Sequence, residues 1–352
     1  VSLTKSPPKK PHRVGPPASR RPRGRHAARA AGLFASLALL VLVLAVSLAF
    51  GARELSLGQA WSGLLDNTSE HYTVVHEMRL PRTLLGLMAG TALGLAGGVM
   101  QALTRNPLAD PGLLGINAGS AAAVVTAISF FGITGFTGYV WFAFAGAAAV
   151  SVLVYTVGGG RGATPARLAL AGAALNAALF SYVNAVMLLD TSSLDMMRFW
   201  TVGSLAGARP EIALRVVWFV LAGMFLALAL ARPLNALALG DDSAQALGAR
   251  PRRARVGAMV TVTLLCGAAT AACGPIVFVG LMVPHMVRAL TGPDLRWMLP
   301  YCAVLAPVLL LGADVVGRLV VRPSELQVGI VTAVLGGPLF LYFVTRRKVV
   351  RA

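Results

Sequence analysis

The stretch RLPRTLLGLMAGTALGLAGGVMQALTRNPLADPGLLGINAGS, residues 79–120, decides the fold class. Arg79 and Arg82 bracket Leu80 and Pro81, and an apolar run rich in small residues follows from Thr83 to Leu103. A polar turn punctuated by Pro107 and Pro111 then leads into a second run rich in glycine and alanine. The pattern predicts a membrane helix, a tight loop at one membrane face and the start of another helix. Glycines 86, 90, 94, 97 and 98 fall near a three-to-four-residue spacing. That spacing strips one helix face of bulk, so neighbouring backbones can approach where lipid gives no hydrophobic drive for association.

Composition agrees. Of 352 residues, 57% are apolar and only 12% charged, against about 25% charged in a soluble domain; the mean hydropathy is +0.73. Repeated uncharged segments near twenty residues long make this an all-α polytopic membrane protein. A formal charge of +18 would suggest nucleic acid in a soluble chain. Here much of it sits in terminal and loop segments, as expected for cytoplasmic flanks, so no nucleic-acid partner is expected. Cys266, Cys273 and Cys302 are embedded in apolar sequence. The first two lie about 10 Å apart along one helix, too far for a disulfide, and are read as packing residues.

Residues 1–30, rich in proline and arginine, read as a disordered cytoplasmic tail that can touch anionic membrane lipid. The apolar run 31–50 is longer than a signal-peptide core and reads as the first span. Further spans are predicted at about 82–103, 113–131, 139–157, 167–189, 211–231, 256–273, 276–290, 297–316 and 325–345. Residues 51–80 read as an outer loop, and 190–210 as an outer segment holding a short interfacial helix. Ten spans within a 31–346 domain put both termini in the cytoplasm, and the basic segments 232–255 and 347–352 fall on that side.

The inner segment 233–248 predicts two short helices. Leu234, Leu237 and Ala238 share a face, Gly240 breaks the first helix, Asp241 or Asp242 caps the second, and Gly248 ends it. Such helices either lie on the membrane or fill a groove on a soluble partner.

Several blocks resemble, in order, the permeases that import iron siderophores, haem and cobalamin. They are the opening stretch, LNALALGDDSAQALG (234–248), GPIVFVGLMVPHMVR (274–288), and ADVVGR with ELQVGIVTAVLGGPLF (313–318 and 325–340). The resemblance runs from Arg79 nearly to the C-terminus. It implies a type II ABC importer permease with ten helices per subunit, paired with a second permease subunit, alike or different. Two ATP-binding-cassette ATPase subunits would carry ATP and Mg, because this chain has no P-loop and no cofactor of its own is expected. An extracytoplasmic binding protein would deliver a metal chelate, with a ferric siderophore as first choice and cobalamin or haem second, across a bacterial cytoplasmic (inner) membrane.

Residue roles follow from the same resemblance. Leu234, Leu237, Gly240, Asp241, Asp242, Ala244, Leu247 and Gly248 would couple to the ATPase. Asn106, Pro107 and Leu108, with Thr164, Pro165 and Ala166, would close the pathway towards the cytoplasm; the prolines are equally ordinary helix ends. Asn176, Ser181 and Asn184 would line the pathway, or simply satisfy neighbouring groups. Arg79, Arg82 and Arg318, unexpected at outer membrane edges, would meet acidic residues of the binding protein; alternatively they snorkel, or Arg318 pairs locally with Asp314.

Other function classes fit less well. The sequence has no GxSxG, HExxH or CxxC motif, so no metal or catalytic site is expected. Of five histidines, only His285 lies in a predicted span, beside Pro284. An ion-coupled secondary transporter, the alternative class, would place carboxylates at mid-membrane, whereas Asp190, Glu211, Asp314 and Glu325 fall near span ends.

Overall fold

The computed structural model describes residues 22–51, 55–133, 135–160, 164–322 and 324–349, and its regular structure is wholly helical. The ten predicted spans coincide with ten helices: α1 (Pro22–Ala49), α3 (Leu80–Thr104), α4 (Ile116–Phe131), α5 (Phe136–Val157), α6 (Pro165–Leu189), α8 (Pro210–Ala229), α11 (Pro251–Cys273), α12 (Val279–Thr291), α13 (Leu295–Val320) and α14 (Val328–Val349). Seven are long and apolar enough to cross a membrane unaided, while α4 and the Val328–Tyr342 part of α14 are shorter apolar helices. The 13-residue α12 reaches only about 20 Å. Residues 274–278 before it are not helical.

Among the described residues, four further α-helices decorate the bundle: α2 (Leu57–Leu65), α7 (Thr191–Trp200), α9 (Ala231–Leu237) and α10 (Asp241–Ala246). A short helix, as expected in 190–210, is present as α7. Two expectations change. The outer segment 51–80 contains α2, closed by a capping box in which Ser56 Oγ accepts from Gln59 N and Gln59 Oε1 accepts from Ser56 N. It ends in a π-helical turn, Val74–Arg79, that runs straight into α3. The first helix also starts at Pro22 rather than 31: the Tyr301 hydroxyl donates to Arg29 O, and His26 lies over Trp297. Of the predicted N-terminal tail, residues 1–21 lie outside the described residues, as do 350–352 of the C-terminal one.

At the centre stands α3, buried along most of its length and packed on α8, α11, α12 and α13. The small-residue face does what its spacing implies. A Cβ at Gly90 would come 2.5 Å from Pro307 Cα, and one at Gly97 would collide with the Gly280 carbonyl. Those two contacts set α3 directly against the backbones of α13 and α12.

Candidate translocation, coupling and docking sites

In the segment expected to face the cytoplasm, α9 and α10 form the predicted helix pair. Gly240, at φ 107°, breaks the chain between them, and Gly248, at φ 79°, follows the second. Leu234, Leu237 and Ala244 are buried against the chain's own core. The outward apolar groups are Leu239 and Leu247, 65% and 68% exposed. Leu234 and Leu237 thus anchor the loop and cannot themselves fill a partner's groove, because a shared helix face says nothing of which way it points.

The expected acidic cap is also corrected. The residue before α10 is Gly240, and no side chain caps that helix. Asp241 instead accepts from Arg255 at 2.6 Å and from Arg105 at 2.9 Å. The Arg255 hydrogen bond, together with the charges of both arginines, holds its carboxyl below the usual carboxylate range. Asp242 is exposed. A second polar anchor holds α9: Asn235 Nδ2 donates to Asp294 at 2.7 Å, and Asn235 Oδ1 accepts from Leu295 N at 3.0 Å. Sequence reading missed Arg105, Asn235 and Arg255, whose partners are non-local.

The two proposed gate segments are locally ordered. Asn106 Oδ1 accepts from Leu108 N at 3.0 Å, and Thr164 Oγ1 accepts from Arg167 N as the cap of α6, with Pro165 at its first position. Pro107 and Leu108 are half-buried, and Ala166 is exposed. Leu103 at the end of α3 and Gly160 in the turn before α6 line one small cavity with Tyr155 and Arg255. The end of α3 and the turn after α5 therefore meet at this cavity.

Helix α6 is the least enclosed of the inner spans, with Ser181 and Asn184 both exposed. Ser181 Oγ bonds back to Ala177 O, and Asn176 Nδ2 donates to Gly112 O at 3.4 Å. Tyr182 meets Thr126 at 2.7 Å. Beside α6, Phe180, Asn117, Thr201, Val277 and Val334 line a cavity of about 430 Å³.

The outer arginines turn inward. Arg79 is 5% exposed and donates to Leu48 O and Ala49 O at 2.7 and 2.6 Å. Arg318, 2% exposed, donates to Ser47 O, Phe50 O and Ser47 Oγ and pairs with Asp314 at 3.1 Å. Together they satisfy the carbonyls that a helix leaves unpaired at its C-terminus, where positive charge is favoured. Arg82 makes a fork to Asp314 and reaches Glu325 at 2.6 Å. Direct presentation to a binding protein is thus corrected for Arg79 and Arg318; the reachable edge of this cluster is Arg82 with Glu325.

These blocks have known counterparts. The model of the FecCD transport family matches residues 39–346. The chain belongs to the FecCD transport family. It is 47% identical over 317 residues to the ferric enterobactin transport system permease protein FepD of Escherichia coli (strain K12), covering 88% of this chain and 94% of that one. Identity to the hemin transport system permease protein HmuU of Yersinia pestis is 39% over 320 residues, covering 89% and 94%. A solved metal-chelate type ABC transporter in an inward-facing conformation superimposes with a TM-score of 0.80 at 30% identity, over 90% of this chain and 99% of that one. This FecCD chain is accordingly a multi-pass permease subunit of an ABC importer and not an enzyme; its ATPase is a separate partner.

Proposed function

We propose that this permease forms half of the pathway for a ferric siderophore, in a bacterial cytoplasmic membrane. A second permease subunit completes the pathway, two ATPase subunits drive it, and an extracytoplasmic binding protein feeds it. The substrate reading is carried by the 47% identity to the enterobactin permease, maintained over 88% of the chain. The half-pathway reading has support of its own in α6, whose exposed Ser181 and Asn184 are poorly suited to lipid and well suited to a wall shared with another subunit. In this reading Asn176, Ser181 and Asn184 line the pathway, and residues 106–108 and 164–166 gate it. Leu239 and Leu247 provide the apolar contact with the ATPase.

The test is uptake by the reconstituted complex, with its ATPase and binding protein, of radiolabelled iron as catecholate, hydroxamate, citrate and haem, and of cobalamin. ATP-dependent uptake of a siderophore is expected. Uptake of haem or cobalamin alone would replace the substrate, and uptake driven by a proton gradient without ATP would replace the class.

A further inference from the structure

A helix ending in a left-handed residue normally ends in glycine, because a Cβ is strained there. Helix α3 ends instead in Arg105, at φ 51° and ψ 27°. Among the described residues only Phe278 shares this departure outside glycine. The strained position carries the longest cationic side chain available, and its guanidinium reaches Asp241 on α10 at 2.9 Å.

Asp241 also holds Arg255, on the first turns of α11, at 2.6 Å. One carboxylate therefore fastens the first residue of α10 to the inner end of α3 and the start of α11. Arg105 is followed directly by the turn Asn106–Leu108, whose own order comes from the Asn106 side chain. Above Arg105, α3 runs as continuous helix to the Arg82–Asp314 pair. The side chains of Arg105, Asp241 and Arg255 are 44%, 38% and 32% exposed, so water screens the pairs and they add little to folding. Their value lies in position: they join a loop with outward leucines to the helix at the centre of the bundle.

We propose that Arg105 is a positioning residue that passes displacement of the coupling helix to α3 and the adjoining cytoplasmic turn, with Asp241 as the joint and Arg255 as its fixed support. The proposal rests on the importer reading above and assigns a transmission role to a residue outside the pathway and outside the ATPase contact. It explains why an arginine stands where glycine is easier: the strain is kept because the ion pair needs a side chain there.

This explanation separates transmission from scaffolding. Arg105→Gly relieves the backbone strain but removes the ion pair, so the assembled complex should show an equal or higher melting temperature and normal ATPase co-purification. The number of chelate molecules imported per ATP should fall at least fivefold. Arg105→Lys should stay within twofold of wild type, because it keeps the charge. Asp241→Asn should lower the ratio as Arg105→Gly does, and the double variant should be no worse than either alone, the mark of two groups acting through one contact. A spin-label distance between positions 108 and 166 should lose its nucleotide dependence in Arg105→Gly. Wild-type import per ATP in Arg105→Gly overturns the proposal, and so does a melting temperature that falls in step with the loss, which would make Arg105 a scaffold residue. If the wild-type complex binds no ATPase, the importer reading has failed rather than this inference.

Discussion

Arg82 and Asp314, 232 residues apart in sequence, form a forked ion pair with three nitrogen–oxygen distances between 2.8 and 3.2 Å. Asp314 is fully buried and also holds Arg318. The fork locks the outer end of α3 to α13. Removing one partner from a buried pair costs about 3–5 kcal/mol, because a charge is left without compensation. Asp314→Ala leaves the buried Arg318 without a carboxylate and Arg82 with Glu325 alone, and should sharply lower the melting temperature of the purified permease. Glu325→Ala, at the 30% exposed edge, should cost within about 1 kcal/mol. Equal effects would show that the cluster is not organised around Asp314.

The same burial changes how docking is tested. Reversing Arg79 or Arg318 strips α1 of its C-terminal donors and should destabilise the chain before any partner is involved. Glu325→Lys leaves those donors in place. If binding-protein docking uses this rim, the association rate should change at low ionic strength, and the difference should shrink as salt rises. A rate indifferent to the substitution at low salt places docking elsewhere.

The coupling loop gives a paired prediction. Leu247→Asp exposes a charge where a leucine already faces outward, so folding should be preserved and ATPase co-purification lost. Leu237→Asp puts a charge at a site 3% exposed and should destabilise the permease itself, by at least the 2–5 kcal/mol typical of losing a buried leucine. Thermal melting of the isolated permease and co-purification, measured together, separate the two. Intact co-purification with Leu247→Asp would move the ATPase contact away from this helix.

Asp294 supplies a pH signature. Its carboxyl accepts from Arg296 and Asn235, and the Arg296 hydrogen bond leads in lowering it to about 2. A depressed acid stabilises above its unfolded value and loses that contribution as pH falls through its folded one. The melting-temperature gap between wild type and Asp294→Asn should be flat from pH 5 to 8 and close between about pH 4 and 2. A gap that varies between pH 6 and 8 would point to another group.

Glycine packing is testable too. At Gly90 the obstruction is backbone, Pro307 Cα at 2.5 Å, so no rotamer change can relieve it. Gly90→Val should therefore separate α3 from α13 and reduce yield, whereas a substitution at Gly312, where a Cβ meets nothing within 4 Å, should not.

Ten helices were legible because hydropathy and helix length are local properties, and lipid allows few alternatives. The glycine spacing of α3 likewise announced a close-packed face. What the chain did not announce was direction. Leu237 and Leu247 look alike in sequence, yet one anchors the loop and the other faces outward. The positive-inside rule marked Arg79 and Arg318 as anomalous, but the carbonyls that explain them belong to residues 47–50, at and just past the end of α1. Helix α2 escaped notice because its signal is a single capping box. Arg105 looked like one more basic residue in a loop until its backbone angle and its partner, 136 positions away, were both known.

The brevity of α12 bears on how the chain is made. Thirteen residues carrying His285 and Arg288 present the insertion machinery with a weak stretch, shorter than the roughly 20 residues that cross a bilayer alone. Its predecessor α11 is long, apolar and separated from it by only five residues. The two are therefore expected to enter the membrane as one hairpin, with α11 carrying its partner in. Biogenesis of the permease would then depend on the 274–278 connection staying short, and a polar insertion there is expected to strand α12 outside the bilayer while leaving every preceding helix correctly placed, which cysteine-accessibility mapping of the helix ends would check.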